Sequence, residues 1–190
     1  MTRSSDTAVA PLFLERWSPR AFDASALPQE DLLTILDAGR WAPSAFNYQP
    51  WRFLYAHRDT PDFAQFLDLL IPFNQTWADK ASVLLFILSE TTMGSPEKPS
   101  HSHSFDAGAA WGQLGLQASI LGYHAHGMTG VAFDRVPAEL GIPDGFRVEA
   151  AVAIGRLGDP ATLPEGLRER EVKSDRKPLA DIAFAGNFQA

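Results

Sequence analysis

The sequence predicts a single domain that mixes helices and strands. Three observations lead there. The chain has 190 residues, a length that suits one domain with a sizeable core. Stretches with apolar residues at helical spacing alternate along it with short stretches of strand character. The run from Ala81 (ASVLLFILS) is continuously apolar, which predicts a strand covered on both faces. No internal repeat or linker divides the chain, so residues 1–190 read as one domain with a loose start over 1–12.

The elements follow in order. Pro28 suits the first turn of a helix, with Glu30 and Asp31 near its positive end. Leu32, Leu33, Ile35, Leu36 and Gly39 form its apolar stripe, and Pro43 stops it. Trp51, Phe53 and Tyr55 alternate with Arg52 and Leu54 in a short strand. Pro61 opens a second helix with Phe63, Phe66, Leu67 and Leu70 on one face. After the buried strand, Thr91 to Ser104 holds two prolines and a glycine and reads as a loop. A long helix follows from Phe105 to about Leu121, rich in Ala and Gly and capped by Gly122. Its small residues predict close packing against a neighbour or a second subunit. Tyr123–Met128 reads as a strand, Asp134 opens a short helix ended by Gly141 and Pro143, and Arg147–Gly155 is another strand. The polar tail, residues 160–190, is too poor in large apolar groups to form a core. It is expected to run over the surface or a partner subunit.

Net charge is −7 and the isoelectric point about 5.1. That argues against a general nucleic-acid binder, which needs a basic face. The absence of cysteine excludes disulfides, thiolate nucleophiles and iron–sulfur clusters. The first residues lack a signal-peptide apolar core, and the longest apolar run is far too short to cross a bilayer. A cytoplasmic location, with no membrane partner, is the expectation. Thirteen Phe and five Trp are more aromatic weight than a small monomer needs, which suggests a ligand site or an interface.

Four stretches ask for a joint explanation. Arg16–Trp17–Ser18–Pro19–Arg20 brackets a hydroxyl with two fixed charges. Trp41 to Phe53 (WAPSAFNYQPWRF) crowds Pro43, Ser44, Asn47 and Gln49 into a turn between helix and strand. Thr129–Gly130 follows a strand, and KSDRKPL, from Lys173, lies in the tail. Charges, amides, hydroxyls and a glycine turn suit a phosphorylated, hydrogen-bonding ring. No proton-shuttling pair accompanies them, which argues against hydrolysis. Two His-x-His pairs, His101/His103 and His124/His126, have the one-face spacing of metal ligands. Neither has a third ligand at suggestive spacing, so no metal site is expected.

In order and spacing these stretches resemble the FMN-dependent nitroreductase family. RWSPRAF resembles its Arg-x-Ser-x-Arg-x-Phe motif, APSAFNYQPWRF its Pro-Ser-x-x-Asn-x-Gln-Pro-Trp-x-Phe motif, and RKPL its Arg-x-Pro-Leu. The resemblance spans about Phe13 to Ile182. It implies an α+β three-layer sandwich, a mostly antiparallel central sheet flanked by helices, in an intertwined homodimer with FMN at the subunit interface. It also implies the FMN contacts. Arg16, Trp17, Ser18 and Arg20 would meet the phosphate, ribityl chain and pyrimidine edge, with Arg176 joining at the phosphate. Pro43, Ser44, Ala45, Asn47 and Gln49 belong to a turn that reaches over from the other subunit. Asn74 would meet the pyrimidine edge, and Thr129 and Gly130 would lie beside the ring. Bidentate arginine suits a phosphate, and a positive charge near the ring's N1 and O2 stabilises the reduced flavin.

Three positions depart from the family pattern. Ser174 stands where some relatives carry a tail lysine, which leaves Lys173, or Arg16 and Arg20, to take its place. Phe46 stands where many have a small residue, and Trp77 where some place a lysine near the flavin edge. The function implied is an oxidoreductase that takes hydride from NADH or NADPH and passes it to a nitroaromatic, quinone or similar small-molecule acceptor by a ping-pong cycle. The flavin carries the chemistry, so no catalytic side chain is expected. The alternatives are a flavin-binding dimer without turnover and a specialised chemistry such as reductive dehalogenation.

Overall fold

The computed structural model describes residues 3–188. Its helices are α1 (Pro11–Glu15), α2 (Gln29–Arg40), α3 (Pro61–Asp68), α4 (Pro72–Ala78), α5 (His103–Ile120), α6 (Val136–Glu139) and α7 (Glu165–Arg168). Its strands are β1 (Trp51–His57), β2 (Val83–Glu90), β3 (His124–Met128) and β4 (Phe146–Gly155). The four strands form one sheet in the order β1-β2-β4-β3, antiparallel throughout.

Strand β2 is central, and all its residues but Glu90 are buried. Alternate side chains therefore build two cores. Val83, Leu85 and Ile87 join Leu32 and Ile35 of α2 and Leu114 and Ala118 of α5. Leu84, Phe86 and Leu88 join Phe63 and Phe66 of α3 and Trp77 of α4. This is the predicted three-layer α+β sandwich. Gly39 lets α2 approach α5, since a Cβ there would lie 3.2 Å from the Phe53 ring and 3.3 Å from the Ala110 carbonyl oxygen.

The second predicted helix is in fact two. Thr60 caps α3 by accepting from the Phe63 amide at 3.2 Å. Leu70 then leaves the helix to bridge Val131. Pro72 starts α4 because its ring excludes a continuing helix and suits a first turn. On α5, the small residues divide between two faces. Ala107, Ala110, Gly115 and Ala118 are buried, whereas a Cβ at Gly108 or Gly112 would meet nothing, and Phe105 is exposed.

The tail also divides. Leu163 and Leu167 are buried in the α3/α4-side core, and Glu171 is buried beside the chain's start, so residues 160–171 dock on their own subunit. From Val172 onward the large apolar residues Val172, Leu179, Ile182 and Phe188 are exposed.

Candidate functional site

Between α1 and α2 the chain runs as an extended strap past the end of β4. Phe22 bridges Leu157, and the Gly158 amide donates to the Ala21 carbonyl at 2.8 Å. A Cβ at Gly158 would sit 2.5 Å from the Phe22 carbonyl, so only glycine permits this approach. His126 on β3 holds the strap from the other side, its Nδ1 donating to the Pro19 carbonyl at 2.8 Å. Burial first, then the Arg20 charge, pushes the His126 imidazole down to about 4, so it is neutral at neutral pH. His124, its neighbour on the same face, meets Trp17 edge-on and is also pushed down, by burial and then by Lys173 and Arg16.

The strap and the tail enclose a cleft of about 540 Å³ lined by Arg3, Arg16, Arg20, Arg170 and Arg176, with Trp17, Ser18 and His126. Among the described residues only Arg20 has a carboxylate within 4.0 Å, that of Glu171 at 3.9 Å. The remaining four guanidiniums line the cleft with no carboxylate within 4.0 Å among the described residues, and Glu169 stands among them on its walls as a single acid against five arginines. Burial and the neighbouring Arg176 and Arg3 charges push the Arg16 guanidinium below its ordinary value. Cations gathered this way bind an anion in place of a carboxylate. Arg16 and Ser18 also line a neighbouring cleft whose other walls are Phe13, Trp111, Gly112, Gly115, Leu116 and Gly127. A charged cleft therefore adjoins one of mixed character that shares Arg16 and Ser18 with it and is lined by aromatic, leucine and glycine residues.

A second group sits beyond the end of β3. The Gly130 carbonyl accepts from the Asn74 side-chain amide at 3.0 Å and from the Ile71 backbone amide at 3.0 Å. Asn74 is buried and Thr129 exposed. Trp77, one turn after Asn74, lies tilted against His126 with ring centroids 4.7 Å apart and stacks at 6.3 Å on Phe22, which links this group to the cleft.

The third group lies elsewhere. Pro43, Ser44, Ala45, Asn47 and Gln49 form a tight turn ahead of β1. Ser44 Oγ accepts from the Gln49 amide at 3.0 Å, and Asp106 on α5 accepts from the Ala45 amide at 3.2 Å. Phe46, Asn47 and Gln49 have φ of 51°, 56° and 52°, a strained cluster of a kind that gathers at functional sites. The Phe46 ring is 88% exposed. β1 and β3 are opposite sheet edges, so three strand spacings, about 14 Å, separate turn and cleft across the sheet. They are also staggered along the strands, because Trp51 aligns through Ser89 with Arg147, and His126 with Ala153.

The chain matches the Nitroreductase family over residues 14–71 and 65–156. It belongs to that family. Among solved structures this nitroreductase-family chain is similar to an oxidoreductase containing FMN, at 60% identity and a TM-score of 0.96, with 98% of this chain and 96% of that one covered. It also resembles a nitroreductase family protein from Streptococcus pneumoniae at 20% identity and a TM-score of 0.74, over 93% of this chain and 98% of that one, a likeness of fold. Of the curated relatives, an uncharacterised 15.4 kDa protein of Mycolicibacterium smegmatis is 38% identical over 120 residues, 63% of this chain and 80% of that protein. A CLA biosynthesis enone reductase from Lactiplantibacillus plantarum is 24% identical over 78% of this chain and 85% of its own length.

Within the nitroreductase frame, the fold gathers Arg16, Trp17, Ser18, Arg20 and Arg176 at one cleft and brings Asn74 to Gly130, but leaves the 43–49 turn apart. Trp77 is enclosed in the core at 1% exposure and does not line an open channel. At Ser174, where the resemblance expects a lysine in some relatives, the neighbouring cation is Arg3 from the start of the chain. Arg3 donates to the Ser174 carbonyl at 2.8 Å and to the Arg16 carbonyl at 2.8 Å. Lys173 does not line the cleft and acts instead beside His124. Sequence reading passed over Arg3, Arg170, Glu171 and the strap-holding role of His126. A lone arginine in a polar N-terminus, or an acid closing an Arg-Glu-Arg-Glu run, carries no local signature. The His-x-His spacing did mark His126, but for a metal.

Proposed function

We propose that this chain is an FMN-dependent oxidoreductase that takes hydride from NADH or NADPH and passes it to a small electron-poor acceptor. The observation that carries the reading is the cleft of five arginines, four of them outside any ion pair among the described residues, which shares Arg16 and Ser18 with a second cleft walled by Phe13, Trp111 and Leu116. That donor set fits FMN, with a dianionic phosphate at one end and a flat ring at the other. The 60% identical oxidoreductase containing FMN supports the same ligand. Arg16, Arg176 and Arg3 would hold the phosphate, with Ser18 donating a hydroxyl beside them. Arg20, further along the strap, would stand towards the ring, and Thr129 and Gly130 would border it.

When bound, FMN supplies the hydride chemistry, and the side chains supply position and charge. The turn at Pro43, Ser44, Ala45, Asn47 and Gln49 is too far across the sheet to meet a ligand in its own cleft. A second copy would bring its turn there, which makes a homodimer the working unit. The open face of α5 around Gly108 and Gly112 suits such close subunit contact. One site used in turn by donor and acceptor gives ping-pong kinetics. Nitroaromatics and quinones fit the family, and the enone reductase relative adds unsaturated carbonyl compounds to the acceptors worth testing.

The test is the visible spectrum of the purified protein before and after anaerobic NADH or NADPH. A flavin band near ~450 nm that bleaches is the expected outcome for a cofactor that carries the hydride. A band that persists would point to a flavin-binding dimer without turnover. A colourless protein that FMN does not reconstitute would remove the flavin.

A further inference from the structure

A buried carboxylate beside an anion-binding cleft works against the cleft's charge, and Glu171 is such a group. It comes from the tail, yet its side chain closes onto the strap. Oε1 accepts from the Arg20 amide at 2.6 Å and the Ala21 amide at 2.8 Å. Oε2 is buried without a hydrogen bond and faces the Arg20 guanidinium at 3.9 Å. Its carboxylate is 1% exposed. Burying a carboxylate on two amides and one distant cation is costly, and an apolar contact would hold the tail at lower cost. What the carboxylate alone can do is fix the strap backbone at the residue that bears Arg20, and draw that guanidinium to one side.

A second staple joins the same two segments. Arg3 Nε donates to the Ser174 carbonyl, and its Nη1 donates to the Arg16 and Leu14 carbonyls at 2.8 and 3.2 Å. Between them, Glu171 and Arg3 tie tail to strap at both ends of the cleft. Tail residues Arg170, Ser174 and Arg176 and strap residues Arg16, Ser18 and Arg20 form its opposing walls.

We propose that Glu171 is a positioning residue for phosphate recognition, because the cleft exists only while Glu171 keeps the tail docked on the strap. Phosphate binding and tail docking are then linked, each favouring the other. This inference rests on the flavin reading above for its ligand.

The experiment compares FMN with riboflavin, which lacks the phosphate, by fluorescence titration of wild type, Glu171→Ala and Glu171→Gln. In Glu171→Ala the affinity ratio of FMN to riboflavin falls at least tenfold, while riboflavin affinity stays within twofold. Glu171→Gln, which keeps an oxygen for the two amides, recovers most of the ratio. Equal loss of both flavins, or an unchanged ratio, overturns the proposal. Limited trypsin digestion reads the linkage separately, at Lys173 and Arg176. FMN slows tail cleavage of wild type several-fold and leaves Glu171→Ala unprotected. If wild type binds neither flavin, the flavin reading fails by itself. Inorganic phosphate then replaces FMN in the digestion. Protection of wild type but not of Glu171→Ala supports the staple, and equal cleavage of both overturns it.

Discussion

At the residue scale, Gly130 shows how one absent methyl group sets a joint. Its carbonyl gathers the Asn74 side chain and the Ile71 amide. A Cβ there would lie 2.3 Å from Asn74 Nδ2 and 2.8 Å from Ile71 Cδ1. The exposed Ile71 side chain can turn aside, but Asn74 is buried and can yield only by giving up its hydrogen bond to the Gly130 carbonyl. Gly130→Ala should cost about 1–3 kcal/mol, the usual penalty of overpacking, read as a lower midpoint in urea unfolding with an unchanged slope. The sequence marked Thr129–Gly130 as a turn after a strand, and so found the residue. It did not show the reason, which is the approach of α4 from 56 positions away.

At the element scale, β3 and the strap behave as one unit through His126. The neutral ring donates to the Pro19 carbonyl and lies against Trp77. Its folded value, about 4, lies below the ordinary 6.5. The unfolded chain therefore takes up a proton first as pH falls. The stabilisation is complete above about 6.5 and is lost as pH drops towards 4, with a total on the order of 2–3 kcal/mol. His124, pushed the same way, adds a loss of the same sign. Thermal melts from pH 7 to pH 4 should show this decline, and His126→Asn should flatten it. A slope unchanged in that variant would mean that His126 does not report on the strap. The strap itself was legible only as a motif. Its path depends on Glu171, Gly158 and His126, all more than a hundred positions away in sequence.

At the scale of the whole molecule, the arginine cleft and the 43–49 turn occupy opposite sheet edges. If both serve one ligand, they belong to two copies of the chain. Light scattering of the flavin-loaded protein should give a dimer, and dilution to monomer should release the flavin in step. A stable monomer that keeps its flavin would defeat the shared site. The exposed Phe105, Phe46 and tail residues Leu179 and Ile182 would be covered in such an assembly. The same scale explains why helix α4 escaped the sequence reading. Pro72-Phe-Asn-Gln-Thr-Trp-Ala is too short for a helical period to show, and it is held by what it packs against, Phe22 and His126.

The sequence by itself determined most of the helices and strands and the burial of β2 on both faces, because period-2 and period-3.6 apolar patterns are local and set which faces must be buried. The three-layer arrangement came from the family resemblance. The sequence also singled out Arg16, Ser18, Arg20 and Arg176, by type and order, as candidates for holding an anion. Only the tertiary structure decided which of those residues meet. It placed Arg3 beside Ser174, enclosed Trp77, turned a buried Glu171 onto the strap, and set the 43–49 turn across the sheet from the cleft. The physical reason is that such contacts join residues far apart in the chain, whose pairing depends on the packing of every element between them.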